Sequence, residues 1–168
     1  MIHRDNLHTL ACYLASDTIE KPFDIRVWSK KPRTNKNLSV CLQRHECGTA
    51  ACGVGHGPYA GFPIDGCIGW DDYCAKWFVD RKDDEAEFSW CFSGNWAERD
   101  NTAIGVAKRI FWLLKHGLPD DWKQQMRGEA PLCYCDMQIS EFLEPIVKES
   151  GSRHSTKTPM RVGGFPLE

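Results

Sequence analysis

The sequence predicts an α+β domain: a small antiparallel sheet packed against about four helices, in a single domain. Three observations lead there. Two short segments alternate apolar and polar residues with the period of a strand. A long stretch after Asp100 repeats its apolar residues with the period of a helix. The composition of the 168-residue chain, 42% hydrophobic and 26% charged, is that of an ordinary globular protein.

Taken in order, residues 5–16 read as an amphipathic helix. Leu7, Leu10, Ala11 and Leu14 share one face, and Asp5 stands as its N-cap. Phe23, Ile25 and Val27 then alternate with Asp24, Arg26 and Trp28, and Leu38, Val40 and Leu42 alternate with Ser39, Cys41 and Gln43. These read as a hairpin whose long tip carries Lys30, Lys31, Arg33 and Lys36, either a solvated loop or a small anion contact. A short helix is expected over about 49–56, stopped by Gly57-Pro58, and a second over 71–79 with Tyr73, Trp77 and Phe78 on one side. Asp80 to Glu87 reads as an acidic surface turn, and Phe88, Trp90 and Phe92 as an extended segment.

The clearest helix follows Asp100 or Asn101. Its apolar stripe is Ile104, Ala107, Phe111 and Leu114, and Lys108, Arg109, Lys115 and His116 suit its later turns. Gly117 ends it. Leu132 and Tyr134 alternate with Cys133 and Cys135 as a short strand, and residues 138–147 form a last short helix. Residues 1–147 are thus expected to form one globular domain, with 148–168 a loosely ordered tail rich in polar residues.

Charge and targeting bound the function. The formal net charge of -2 excludes a nucleic-acid-binding polycation and an acidic nucleic-acid mimic, so nucleic acid is not an expected partner. No apolar run reaches the roughly 20 residues that span a bilayer, and no secretory leader is visible, so a cytoplasmic protein without membrane attachment is expected. Nine cysteines, an odd number, argue for thiols, metal ligands or nucleophiles rather than a closed disulfide framework. Trp90, Phe92, Trp96 and Trp112 read first as core, although Trp faces also stack on nucleotide bases.

The segment His45-Glu-Cys47-Gly-Thr-Ala-Ala-Cys52-Gly-Val-Gly-His56 could carry chemistry in three ways. Cys47, Cys52, His56 and His45 could hold a metal; Cys52 and His56 are four apart on the expected helix, and zinc is the only cofactor such donors imply. Alternatively, Cys47 at the start of that helix could be a nucleophile, its thiolate favoured by the helix dipole. His56 would then lie roughly 13 Å away along a regular helix, so the base would be His45, His116 or His8, oriented by Asp100 or Asn101. The third reading is structural: Ala50, Ala51, Cys52, Gly53 and Gly55 make a small-residue face for close packing. The chain contains no dinucleotide fingerprint, Walker loop, zincin motif or nucleophile elbow.

The Cys47-Gly-Thr-Ala-Ala-Cys52-Gly-Val-Gly-His56 element, followed by Trp96 and Asp100-Asn101-Thr102 opening a helix, resembles a group of small uncharacterised bacteriophage and prophage proteins. These carry a C-G-T-x-x-C-x-x-G-H element and a later W-x3-D-N-T element. The resemblance covers roughly residues 5–122. It implies expression inside a bacterial host cell and marks Cys47, Gly48, Thr49, Cys52, Gly55, His56, Trp96, Asp100, Asn101 and Thr102 as motif positions, with no activity attached. The resulting expectation is an accessory protein with an anti-defence role that binds a host or defence protein or a small nucleotide, with Gly48, Thr49, Trp96, Asp100 and Thr102 as ligand-binding residues. The alternatives are a cysteine-dependent hydrolase or transferase using Cys47, His116 and Asn101, and a zinc-stabilised interaction module.

Overall fold

The computed structural model describes residues 1–16, 19, 22–26, 29–30, 50–64 and 66–143. Helix α1 spans Arg4–Leu14, α2 Trp70–Trp77, α3 Glu85–Phe92, α4 Ala103–His116 and α5 Trp122–Arg127, with single 3-10 turns at Val54–His56, Gly94–Glu98 and Ile139–Glu141. The fold is therefore helical, and the expected α+β class is overturned. The β structure among the described residues is a ladder of two residues per strand, β1 (Ser29–Lys30) against β2 (Ala50–Ala51), with isolated bridges at Ile2–Val79 and Phe23–Ala51. No sheet there gives the helices a face to pack on; they pack on each other.

Helix α1 forms where its apolar stripe requires. Leu7, Leu10, Ala11 and Leu14 are fully buried, and each leucine contributes about 2 kcal/mol by leaving water. They pack against α4, with His8 edge-on to Phe111 at 5.6 Å. Asp5 lies in the first turn instead of capping; His3 is the N-cap residue, and its amide donates to the Phe78 carbonyl at 2.8 Å. Asn6 donates to the Trp77 carbonyl at 2.9 Å, so the start of α1 is tied to the end of α2.

Helix α3 replaces the extended segment expected at Phe88–Phe92. Phe88, Trp90, Cys91 and Phe92 are all buried. A helix apolar on every side belongs in the interior, and a short apolar run does not reveal its period. The acidic turn at 81–84 is shorter than expected, because α3 takes Glu85 and Glu87 into its first turn.

Helix α4 starts one to two residues later than the cap expected at Asp100 or Asn101, and it is rotated. Thr102 is the N-cap, its hydroxyl accepting from the Gly105 amide at 2.9 Å, and Gly117 at φ +81° ends the helix. The buried face is Ala103, Val106, Ala107, Ile110, Phe111 and Leu113, whereas Ile104 is half exposed. Arg109, expected only as one of the basic residues suited to the later turns, is fully buried.

Further along, the expected strand at Leu132–Cys135 is a turn, and only Ile139–Glu141 of the expected last helix is helical among the described residues. The expected strand at Leu38–Leu42, most of the hairpin tip and the tail at 148–168 lie outside the described residues, as do Val27 and Trp28. No described helix is long and apolar enough to cross a membrane.

Candidate functional site

The later motif forms an internal network around the start of α4. Asp100 accepts from Arg109 Nη1 at 3.2 Å and from the Tyr134 hydroxyl at 3.0 Å, and its other oxygen accepts from the Thr102 hydroxyl at 2.6 Å. Arg109 Nη1 also reaches Tyr134 Oη at 3.1 Å, and its guanidinium lies over the Trp96 ring at 4.4 Å. The Trp96 indole donates to the Ser89 carbonyl at 3.1 Å, and Trp90 donates to the Arg109 carbonyl at 2.8 Å. The three rings of Trp90, Trp96 and Tyr134 meet edge to face. Burial, ahead of the opposing pull of Arg109, pushes the Tyr134 hydroxyl above its ordinary range. Gly105 completes the set, since a Cβ there would fall inside the Asp100 carboxylate.

Trp96, Asp100 and Thr102, marked beforehand as ligand-binding, are therefore engaged with one another and with α4. Asn101 accepts from the Ile25 amide at 2.8 Å and donates to Asp24 at 3.4 Å, which anchors residues 22–26. His116 lies at the far end of the same helix, stacked on Trp112 at 4.5 Å. One helix of this length separates Asn101 from His116 by about 20 Å, so the structure does not bring them together as base and orienting group. Sequence reasoning missed Arg109, Tyr134 and Gly105. A signal for Arg109 was present: it shares a helix face with Val106, Ile110 and Leu113, all buried.

The Cys/His segment is only partly described. His45, Cys47, Gly48 and Thr49 lie outside the described residues. The helix expected over 49–56 is not there: Ala50–Ala51 is strand, and the helical turn starts at Val54. Residues 50–53 thus form no helix for Cys47 to stand at the start of. Cys52 and His56 remain neighbours, the His56 amide donating to the Cys52 carbonyl at 3.0 Å. Both are buried.

Burial pushes the Cys52 thiol up to about 11, against the Gly55 and Val54 amides that lower it. Burial holds the His56 imidazole down at about 4, only partly offset by the carbonyls of Ala51 and Pro22. The ring sits among Phe23, Tyr13 and Tyr59, at 5.9, 6.0 and 6.2 Å between centroids, and neither ring nitrogen meets hydrogen-bond geometry with a described residue. As zinc donors these two fit only in part: a neutral imidazole suits a metal, but a thiol held protonated does not, and no third donor joins them among the described residues. The small-residue face expected on that helix is not formed as a helix face, but Gly53 from it and the following Gly57 both pack closely. A Cβ on Gly53 would meet Val106 Cγ1 at 3.0 Å, and one on Gly57 would meet Tyr73 Oη at 2.5 Å.

Two surface concavities bear on binding. A cleft of about 190 Å³ is lined by Arg26, Cys52, Arg81, Phe88, Phe92 and Ser93, among others. Arg26 is paired with Asp24 at 3.0 Å and Arg81 with Asp71 at 3.2 Å. A larger groove of about 600 Å³ runs along the start of α2, lined by Ile68, Trp70, Asp71, Asp72, Asp80 and Arg81 and their neighbours. Ile68 is 93% exposed, the most exposed of the large aliphatic side chains described.

Compared with known proteins, the chain matches no family model, no curated protein and no solved structure.

Proposed function

We propose that this chain is a phage or prophage accessory protein that acts by binding a host or defence protein, docked on the groove at the start of α2. The observation that carries the reading is Ile68, almost wholly exposed on the rim of a groove of about 600 Å³. A single exposed aliphatic side chain is ordinary on a protein surface; what supports a contact here is that Ile68 borders a concavity whose lining Trp70 and Ala75 continue. The phage setting rests on the two motif elements.

Size and charge decide between a protein and a nucleotide. Ligand pockets occupy roughly 300–1,000 Å³. The arginine-lined cleft, at about 190 Å³, admits a small anion but not a nucleotide. The groove is large enough, but its three carboxylates, Asp71, Asp72 and Asp80, outnumber the cations Arg81 and Lys82, and Arg81 is paired with Asp71, which disfavours phosphates. Thiol chemistry draws no support from the buried cysteines: burial raises Cys52, Cys74 and Cys91, which makes each a poorer nucleophile at neutral pH.

A photo-crosslinking residue placed at position 68 in the full chain, expressed in bacterial cells, tests the proposal. A discrete protein adduct at position 68, absent when the crosslinker is moved to exposed Lys123, is the expected result. Failure to form any adduct, together with turnover of a substrate by the purified chain, would overturn it.

A further inference from the structure

We infer that the partner segment seated in this groove is a basic peptide stretch built around one bulky apolar anchor. The inference rests on the docking reading above and adds the chemistry of the occupant. The anchor follows from the apolar part of the groove. Ile68 stands in water, Trp70 beside it is 8% exposed with its ring edge-on to Tyr73 at 5.4 Å, and Ala75 continues the surface one turn along α2. A side chain laid across these three would shield Ile68, which nothing else in the described structure covers.

The charge around the groove selects what flanks the anchor. The groove's own lining holds Asp71, Asp72 and Asp80 against Arg81 and Lys82, and the stretch from Asp71 to Glu87 carries seven carboxylates and three cationic side chains. Arg81 is committed to Asp71 at 3.2 Å, and the Met1 ammonium is committed to Asp84. Asp72 is exposed and accepts from no described donor, while Asp80 accepts from the Lys82 amide at 2.9 Å and keeps its second oxygen open. The whole chain has a net charge of only -2, so the acidic excess belongs to this region and the remainder carries a small positive excess. Lysine or arginine beside the anchor would meet Asp72 and Asp80. Such complementarity chiefly sets specificity and the rate of encounter.

The same charge disfavours other occupants. A second copy paired about a two-fold axis would bring the same carboxylates face to face. A nucleic acid would meet like charge along its backbone.

The test uses the full chain and three fluorescein-labelled peptides sharing a Leu-Phe anchor, flanked by lysine and arginine, by glycine and serine, or by glutamate. Fluorescence anisotropy is expected to show the basic peptide binding roughly tenfold tighter than the glycine-serine one, with the gap closing as salt screens the charges. Ile68→Asp should abolish binding of all three while the circular dichroism and Tm stay those of the parent, as suits so exposed a position. Asp72→Asn with Asp80→Asn should erase the preference for the basic peptide and leave the glycine-serine peptide bound as before.

Equal binding of the three peptides, or preference for the glutamate-flanked one, overturns the basic-segment inference. So does an absence of peptide binding while a protein adduct still forms at position 68, a combination that leaves the docking reading standing. Loss of the adduct as well defeats both. Concentration-dependent dimerisation that Ile68→Asp removes assigns the groove to a second copy and overturns the inference.

Discussion

Gly105 shows how one missing side chain decides a network. It lies in the first turn of α4, where alanine normally adds helix stability of about 1 kcal/mol over glycine. Here a Cβ would occupy the space of the Asp100 carboxylate. Displacing that carboxylate leaves the fully buried Arg109 without its counter-charge, and two of its nitrogens, Nε and Nη2, already have no hydrogen-bond partner among the described residues. Breaking a buried ion pair from one side costs on the order of 3–5 kcal/mol. Gly105→Ala is therefore expected to destabilise by about 3 kcal/mol in urea unfolding, with the sign opposite to its helix propensity. In an Asp100→Ala background the clash is gone and the same substitution should become neutral or stabilising. Additive effects of the two substitutions would show that the carboxylate is not what glycine accommodates.

Among the elements, the segment 22–26 and the start of α4 are joined by one side chain. Asn101 caps nothing; it accepts the Ile25 amide and reaches Asp24, itself paired with Arg26. Asn101→Ala leaves a part-buried amide unpaired, a cost of about 1–3 kcal/mol, and amide exchange at Ile25 should speed up well beyond that at Leu10, which α1 and α4 bury. A catalytic asparagine would instead leave exchange and stability unchanged. How legible the elements were depends on the source of each signal. The α1 stripe and the neighbourhood of the α4 start were readable because each is written locally, in apolar spacing and in the polar run Asp100-Asn101-Thr102, though the cap itself is Thr102 and not Asp100 or Asn101. Helix α3 was not, because Phe88, Trp90 and Phe92 are buried by neighbours from all sides and their spacing fits strand and helix alike. The short helix α5 went unread, with only Gln125 fully buried and no apolar stripe to mark it. The motif Asp100-Asn101-Thr102 was visible as a pattern, but its partners Arg109 and Tyr134 come from 9 and 34 residues away, a distance that spacing alone does not encode. The groove at Ile68 left no sequence signal, since a single isoleucine between Cys67 and Gly69 reads as readily as core.

For the whole molecule, buried titratable groups fix the pH range in which the fold is stable. The His56 imidazole, ordinarily near 6.5, is held at about 4 because its ring is fully buried. Its folded pKa lies below the unfolded one, so between those values the unfolded chain takes up a proton that the folded chain refuses. Stability due to neutral His56 is therefore complete above about 6.5 and is lost as pH falls toward 4, by on the order of 3 kcal/mol in all. Asp24, whose carboxyl is kept below its usual range by Arg26 despite partial burial, adds a separate loss at lower pH, below 3.8. On the alkaline side the sign reverses. Burial raises the Cys52 thiol from 9 to about 11, so the folded chain keeps a proton that the unfolded chain gives up, and stability falls as pH rises through that interval. Urea midpoints across pH should thus form a plateau between about 6.5 and 9 with a decline on each side. His56→Phe separates the contributions. Phenylalanine keeps an aromatic ring among Phe23, Tyr13 and Tyr59 and removes two nitrogens that lack hydrogen-bond partners among the described residues, so at pH 7 it should change stability by no more than about 1–2 kcal/mol. It should also flatten the decline between 6.5 and 4 while leaving the alkaline decline and the loss below 3.8 in place. Parallel acid profiles for the parent and His56→Phe would mean that the buried imidazole is not the group that sets the acid limit.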